Sequence, residues 1–194
     1  LASKLGGKSV IDLAEDSRGN VWILTNRDGI YVWNSTDNTV ENVEIAKIPQ
    51  SERPKHVFID SRDNIYFVYG LLGVVRCRYD GKTLKSDFYY PIFTGATLYS
   101  MTEDSRGRLW LGAFGSNVFL LDKNSPTYKQ IGVTVKNSYT FIPKIIELED
   151  GRMMAVALTN GVTFIDPDTF ATQTLSMDVA THGRPFIPTS LFRD

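Results

Sequence analysis

The chain has 194 residues, with 21 Lys and Arg against 22 Asp and Glu, a net charge of −1, and 42% hydrophobic residues. That balance suits a globular domain and excludes the basic excess that a nucleic-acid surface needs. No run of about 18 apolar residues occurs, so no stretch reads as a membrane span. The first residue is Leu1 rather than Met, which points to a cut or processed start from which targeting cannot be read. The single Cys77 permits no internal disulfide. In the run Val74-Val75-Arg76-Cys77-Arg78 it reads as a small buried strand residue.

Residues 1–8 are too few for a unit and read as the tail of a preceding repeat. Beyond them the chain repeats itself. Glu15-Asp16-Ser17-Arg18-Gly19-Asn20-Val21-Trp22-Ile23 returns as Glu103-Asp104-Ser105-Arg106-Gly107-Arg108-Leu109-Trp110-Leu111. A worn copy, Ile59-Asp60-Ser61-Arg62-Asp63-Asn64-Ile65-Tyr66-Phe67, lies between them. Gly19, Asp63, Gly107 and Gly151 stand 44 residues apart, as do Trp22, Tyr66, Trp110 and Met154. A fixed period of this size marks stacked supersecondary units. Each copy reads as strand, tight turn, strand. The Asp carboxylate accepts backbone N–H groups of the turn and the Gly supplies its positive φ. Asp63 replaces that Gly with a residue that tolerates the left-handed region.

The columns of the repeat give the strands. Leu13, Val57, Met101 and Ile145 are all apolar, while the adjacent Asp12, His56, Ser100 and Lys144 are all polar. This alternation predicts a first strand with one side packed and the other facing water. The second strand, around Trp22, Tyr66, Trp110 and Met154, does not alternate and is expected to be buried on both faces. Hairpin residues Asp28-Gly29, Leu72-Gly73, Ser116-Asn117 and Asn160-Gly161 then lead into third strands beginning at Ile30, Val74, Val118 and Val162. A more polar fourth strand is predicted at 39–43, 87–90, 128–131 and 172–175. Pro49, Pro54, Pro91, Pro143, Pro185 and Pro188 mark the crossings between units.

No segment shows a helical period. Four strands per 44 residues, with middle strands buried on both faces, is an all-β, β-propeller pattern with blades of four antiparallel strands. The repeats are expected at about 9–52, 53–96, 97–140 and 141–184, with a fifth starting at 185–194, in a single partial propeller. Four repeats and a fragment suggest an open piece of a larger ring. Such a piece would bare apolar faces and tend to self-associate. The fourth repeat has Leu148 in place of the Asp, and Asp150-Gly151 is expected to keep the hairpin without that cap.

The motif E-D-S-R-G-N/R-V/L-W-I/L, followed about eight residues later by a Gly-hydrophobic-aromatic strand, resembles the two-component regulator propeller repeat. The match is good over Glu15 to Trp33 and Glu103 to Leu121, partial over Ile59 to Arg78, and weak over Glu147 to Asp166. The resemblance implies a non-catalytic, extracytoplasmic, periplasmic input module of a hybrid histidine kinase–response regulator. It implies an oligosaccharide as ligand, and neighbouring blades of a parent chain as partners. No kinase, receiver or DNA-binding segment is present in these residues.

The residue types add little chemistry. Glu15-Asp16 and Glu103-Asp104 look like paired carboxylates, yet they recur in phase with the turns and read as structural, as the Asp-box of sialidase propellers does in its family. His56 and His182 are far apart, and no cluster has metal-ligand spacing, so no catalytic residue, metal or cofactor is assigned. Gly7-Lys8-Ser9 matches only the end of a phosphate-binding loop, and Gly6-Gly7-Lys8-Ser9 reads as a connection between blades. Asp166-Pro167-Asp168 reads as a turn rather than a cation site. Phe88-Tyr89-Tyr90, Tyr99 and Tyr139-Thr140-Phe141 are candidate glycan platforms by type, but packing between blades is the better reading of each, and no ligand-binding residue is assigned. A propeller lyase or glycosidase, or a protein-interaction scaffold, remains the alternative, since architecture does not decide function.

Overall fold

The structure is a computed structural model that describes residues 5–45, 48, 53–70, 72–91, 97–115, 117–133, 141–157 and 161–176. Among the described residues sixteen strands form four antiparallel sheets, each a meander of consecutive strands. Blade 1 is β1 (Val10–Glu15), β2 (Val21–Thr25), β3 (Ile30–Asn34) and β4 (Thr39–Val43). Blade 2 is β5 (Pro54–Ile59), β6 (Ile65–Tyr69), β7 (Gly73–Tyr79) and β8 (Leu84–Tyr90). Blade 3 is β9 (Leu98–Glu103), β10 (Leu109–Ala113), β11 (Asn117–Leu121) and β12 (Tyr128–Gly132). Blade 4 is β13 (Lys144–Glu147), β14 (Met153–Ala157), β15 (Gly161–Ile165) and β16 (Thr172–Leu175). The fourth strand of blade 2 starts at Leu84, ahead of the expected position 87. The expected fifth repeat, His182, Tyr139-Thr140, Pro49, Pro185 and Pro188 lie outside the described residues. The chain divides into two compact units, Leu1–Phe93 and Thr94–Asp194, with two blades in each.

Inside each unit the two blades share one core. Trp22, Leu24 and Val32 of blade 1 meet Val57, Phe67, Val75 and Cys77 of blade 2. Trp22 sits edge-on to Tyr79 at 5.0 Å between ring centres. In the second unit Trp110, Val118 and Ile131 meet Ile145, Met153 and Ile165. The second strand therefore packs against β neighbours on its own sheet and against a facing blade, and β6 and β10 are buried at every residue.

The first strand departs from the expected pattern in two ways. Val57, Met101 and Ile145 are 2%, 6% and 1% exposed, but Leu13 is 54% exposed. Val57 and Ile145 pack in the core shared with the preceding blade of their unit, whereas Leu13 belongs to the first blade. The polar column does not simply face water. Asp12 Oδ2 accepts the Val57 N–H at 2.7 Å and meets His56 Nδ1 at 2.5 Å. Ser100 is buried and donates to the Ile142 carbonyl at 2.9 Å. Within each unit these side chains tie the first strand of one blade to the start of the next, where burial demands a hydrogen-bond partner.

The repeated Asp closes the first hairpin as expected and does more. Asp16 Oδ1 accepts the N–H groups of Arg18 and Asn20 at 3.0 and 2.9 Å. Its Oδ2 accepts from the indole Nε1 of Trp22 at 3.3 Å. Asp60 takes the N–H groups of Arg62 and Asn64 and the hydroxyl of Tyr66 at 3.1 Å. Asp104 takes those of Arg106 and Arg108 and the Trp110 indole at 2.9 Å. The aromatic column is thus both core and donor, which is how a buried Trp or Tyr satisfies its polar end. Blade 4 loses acceptor and donor together, with Leu148 at one position and Met154 at the other. Its hairpin persists on backbone bonds, Leu148 N–H to the Arg152 carbonyl at 2.8 Å and Gly151 N–H to the Leu148 carbonyl at 2.9 Å.

These caps set an acid limit. Burial alone would raise the carboxyls of Asp60 and Asp104, but their amide, phenol and indole donors outweigh it and hold both below the ordinary 3.8. A carboxyl with a lower value folded than unfolded stabilises the fold fully above its unfolded value. That contribution disappears as pH falls through the folded value. Urea midpoints should stay level from neutral pH to about pH 5 and drop below about pH 4. Asp104→Asn should flatten the acid drop. A midpoint unchanged down to about pH 2 would show that the caps carry no such linkage.

Candidate functional site

The paired carboxylates divide into separate structural tasks. In each copy Asp points inward to its own turn, and within each unit the Ser and Arg that follow it in the first blade reach the second blade. Ser17 donates its N–H to Asp63 Oδ1 at 2.9 Å, and its hydroxyl donates to Asp63 Oδ2. Ser105 donates its N–H and hydroxyl to the two oxygens of Glu147 at 2.8 and 2.6 Å. Arg18 donates to the Tyr79 carbonyl at 3.0 Å, Arg108 donates to the Pro167 carbonyl at 2.7 Å, and Arg106 pairs with Asp168. Asp63 is therefore more than a glycine substitute. It has φ 58 and supplies the clasp carboxylate that Ile59 cannot, in the column where blade 4 has Glu147. Glu103 is engaged with Lys123 at 2.6 Å. None of these groups is left poised for catalysis.

The other sequence candidates also resolve into structure. Gly6 and Gly7 adopt φ 58 and 77 in a tight turn, and Lys8 Nζ lies 3.6 Å from Asp28 and over the Tyr31 ring. Asp166 accepts the N–H groups of Asp168 and Thr169, which makes its run a turn. Burial pushes the Cys77 thiol up to about 12, so it stays protonated and unreactive. No group of three His, Cys, Asp or Glu among the described residues could hold a metal ion. A groove of about 310 Å³ along the β11–β12 hairpin, lined by Asp122, Thr127, Tyr128 and Lys129 among others, is a crease within one hairpin rather than a convergent site.

The aromatic candidates separate. Phe88 stacks against Tyr90 at 6.0 Å with the Arg76 guanidinium over its ring at 4.0 Å, while Tyr90 is fully buried. Tyr89 is partly exposed, with its hydroxyl donating to the Leu72 carbonyl. These residues belong to the packing of β7 and β8. Tyr99 is different. In β9, Ser100 pairs with Gly112 but Leu98 pairs with Ala113, so Tyr99 is an extra residue in a bulge. Ile11 and Lys55 occupy the same bulge in blades 1 and 2. A bulge re-aims a side chain out of the pleat, and Tyr99 is 39% exposed. Its ring stands edge-on to Phe141 at 4.8 Å, and Phe141 lies 4.8 Å from Phe114. Phe114 follows β10 and Phe141 precedes β13, so two connections and a strand entry converge at one end of this unit. Sequence reasoning singled out Tyr99 and Phe141 but missed Phe114, whose column holds Asn26 and Gly70 in the first unit.

A second constellation lies in the first unit. Asp12 and His56 are half-buried column-mates one period apart, joined through Nδ1. Burial would raise the Asp12 carboxyl, but the bonds from His56 and Val57 hold it lower. A carboxylate on one imidazole nitrogen orients the ring and fixes its tautomer.

Repeated four-stranded blades, keyed together by Asp-Ser-Arg turns, define a β-propeller protein. The model of the two component regulator propeller family matches residues 4–27, so the chain carries at least one repeat of that kind. Among curated proteins none matches the chain. Virginiamycin B lyase from Staphylococcus aureus is similar in structure with TM-score 0.70 and 15% identity, over 88% of this chain and 56% of that one. The extracellular domain of a hybrid two component system from B. thetaiotaomicron is similar with TM-score 0.70 and 17% identity, over 91% of this chain and 23% of that one. A second such domain from B. thetaiotaomicron has TM-score 0.66 and 16% identity, with the same coverage of 91% and 23%. The chain thus spans about half the length of the lyase and about a quarter of the extracellular domains. At these identities the likeness establishes the fold alone.

Proposed function

We propose that this chain is part of a non-catalytic, extracytoplasmic input module of a hybrid two-component system, located in the periplasm, and that it recognises an oligosaccharide. The observation that carries the ligand class is Tyr99, re-aimed by a bulge and backed by Phe141 and Phe114. The C–H face of a pyranose packs on such a ring, and neutral sugars need no metal or charged anchor. The signalling role rests on the family match at residues 4–27 and on the likeness to extracellular domains of hybrid two component systems. Neighbouring blades of a longer chain are the protein partners of this reading. In isolation, the exposed Val10, Ile11 and Leu13 would drive weak self-association.

Calorimetric titration with a panel of neutral and uronate-containing oligosaccharides tests the reading. Binding is expected for one class, and Tyr99→Ala should weaken it at least about tenfold, the scale of one lost aromatic contact. The unfolding midpoint should stay unchanged because the ring is partly exposed. Binding that survives Tyr99→Ala would remove this site. No binding by any sugar would remove the ligand class.

One observation favours a second reading, a propeller lyase. The Asp12–His56 pair has the form of an oriented base, and a lyase shares the fold. Product formation from a uronate polysaccharide or from virginiamycin B, abolished by His56→Ala, would establish it. Absence of turnover on both would leave Asp12 and His56 as a strut between first strands.

A further inference from the structure

We propose that the site around Tyr99 takes an acidic oligosaccharide, with Lys144 as the seat for its negative group, a uronate carboxylate or a sulfate ester. This rests on the oligosaccharide reading and narrows it. The strands of the second unit sort their charges between their two ends. Every Asp and Glu among its described residues stands at the last residue of β9 or β13, or in the turns after β9, β11, β13 and β15. Ion pairs of this unit gather there too, Arg108 with Asp104 at 2.6 Å and Lys123 with Glu103 at 2.6 Å. The opposite end, where Tyr99, Phe114 and Phe141 meet, has no described carboxylate. Its one described charge is Lys144, the first residue of β13. Lys144 is exposed, and its ammonium pairs with no group among the described residues.

The register brings that ammonium to the aromatic cluster. Ser100 follows Tyr99 and donates to the Ile142 carbonyl at 2.9 Å, while the Tyr99 ring meets Phe141, so residues 99–100 lie beside residues 141–142. Lys144 is two residues further on. Asp12 and His56 hold the same two columns in the first unit as Ser100 and Lys144 in the second, and there the side chains meet through Oδ2 and Nδ1. The Ser100 and Lys144 positions are therefore side-chain neighbours. The flexible four-carbon stem of lysine lets its ammonium range over a ligand stacked on Tyr99. Asn117 donates to the Gly115 carbonyl at 3.1 Å and so braces the turn that carries Phe114. A pyranose on this platform meets one cation and no opposing carboxylate, so nothing described there cancels the attraction for an anion. An ammonium is a point charge without the planar fork of arginine, and it suits a carboxylate or a sulfate equally. The corresponding end of the first unit carries both signs, with Lys8 beside Asp28, and lacks this bias.

Calorimetry with two matched pairs of sugars is the test: trigalacturonate beside its methyl ester, and a sulfated galactan oligomer beside its desulfated form. At low salt the acid of at least one pair is expected to bind about threefold to fivefold tighter than its neutral partner, the upper range for one exposed ion pair. That difference should shrink as salt screens it. A difference in the first pair names a uronate and one in the second a sulfate ester, and either supports the proposal. Lys144→Gln should erase the difference while keeping the neutral affinity and the unfolding midpoint, and Lys144→Arg should retain it. Binding with no difference inside either pair, or a difference that survives Lys144→Gln, would overturn the acidic ligand and leave the oligosaccharide reading standing. No binding by any of the four sugars would also overturn the acidic ligand. The oligosaccharide reading falls only if the neutral sugars of the wider panel fail as well.

Discussion

Trp110→Ala should cost roughly 3–5 kcal/mol, the range for truncating a large aromatic in a core. The ring is fully buried among Val118, Ile145, Met153 and Ala155, so little of the space can collapse. The indole also satisfies the buried carboxylate of Asp104. Trp110→Phe isolates that part and should cost about 1–3 kcal/mol, the worth of a hydrogen bond to a charged group, while Asp104 Oδ2 keeps its bond from Arg108 Nε at 2.6 Å. Blade 4 shows how to escape the penalty, because Leu148 and Met154 have replaced acceptor and donor together. Asp104→Leu with Trp110→Met should therefore cost less than the sum of the two single changes. A double-mutant cycle in urea reads the coupling directly. Strict additivity would show that the indole bond contributes nothing beyond packing.

Gly112→Ala should be the second large effect. A Cβ there would stand 2.5 Å from the Ile142 carbonyl oxygen and 2.5 Å from Ser100 Oγ, with Ile142 Cγ2 at 2.9 Å. Two of those atoms form the buried bond that ties β9 to the segment entering β13. Overpacking of this kind costs about 1–3 kcal/mol, and backbone cannot swing aside as a side-chain end can. The urea midpoint should fall with its slope preserved. An unchanged midpoint would mean that Ile142 has another position available at no cost.

The blades were legible because their signals repeat. Each hairpin has its Asp or Asp-Gly, and each second strand lacks alternation, so the phase of one copy corrects the wear of another. The worn copy still hid two facts. Asp63 was read as a tolerated replacement for glycine, while its carboxylate replaces the Glu missing at Ile59. The paired loss of Leu148 and Met154 was visible in the columns, but a column read as apolar conceals the N–H of an indole. The packed and wet sides of the first strand were half right. Column-mates such as Asp12 and His56 sit on adjacent blades, and one period of separation brings them into contact. The candidate site was the least legible part. A bulge adds one residue that no periodic template marks, so Tyr99 looked like any strand aromatic. Phe114 has no aromatic counterpart in its column, and only folding brings it to Phe141.

The two turn clasps described, one in each unit, run the same way along the chain. Ser17 reaches forward to Asp63, Ser105 reaches forward to Glu147, and the Arg side chains follow. Such a stack has a polarity like that of a zip fastener. A blade leaving the ribosome holds out donors that only later sequence can accept, so assembly proceeds with synthesis and each newcomer finds its seat prepared. The same polarity makes a 44-residue unit a portable cassette, able to be duplicated between two existing members without redesign on either flank. Glu149 breaks that grammar at the fourth unit. A blade packed after blade 4 would have to join it without a serine clasp.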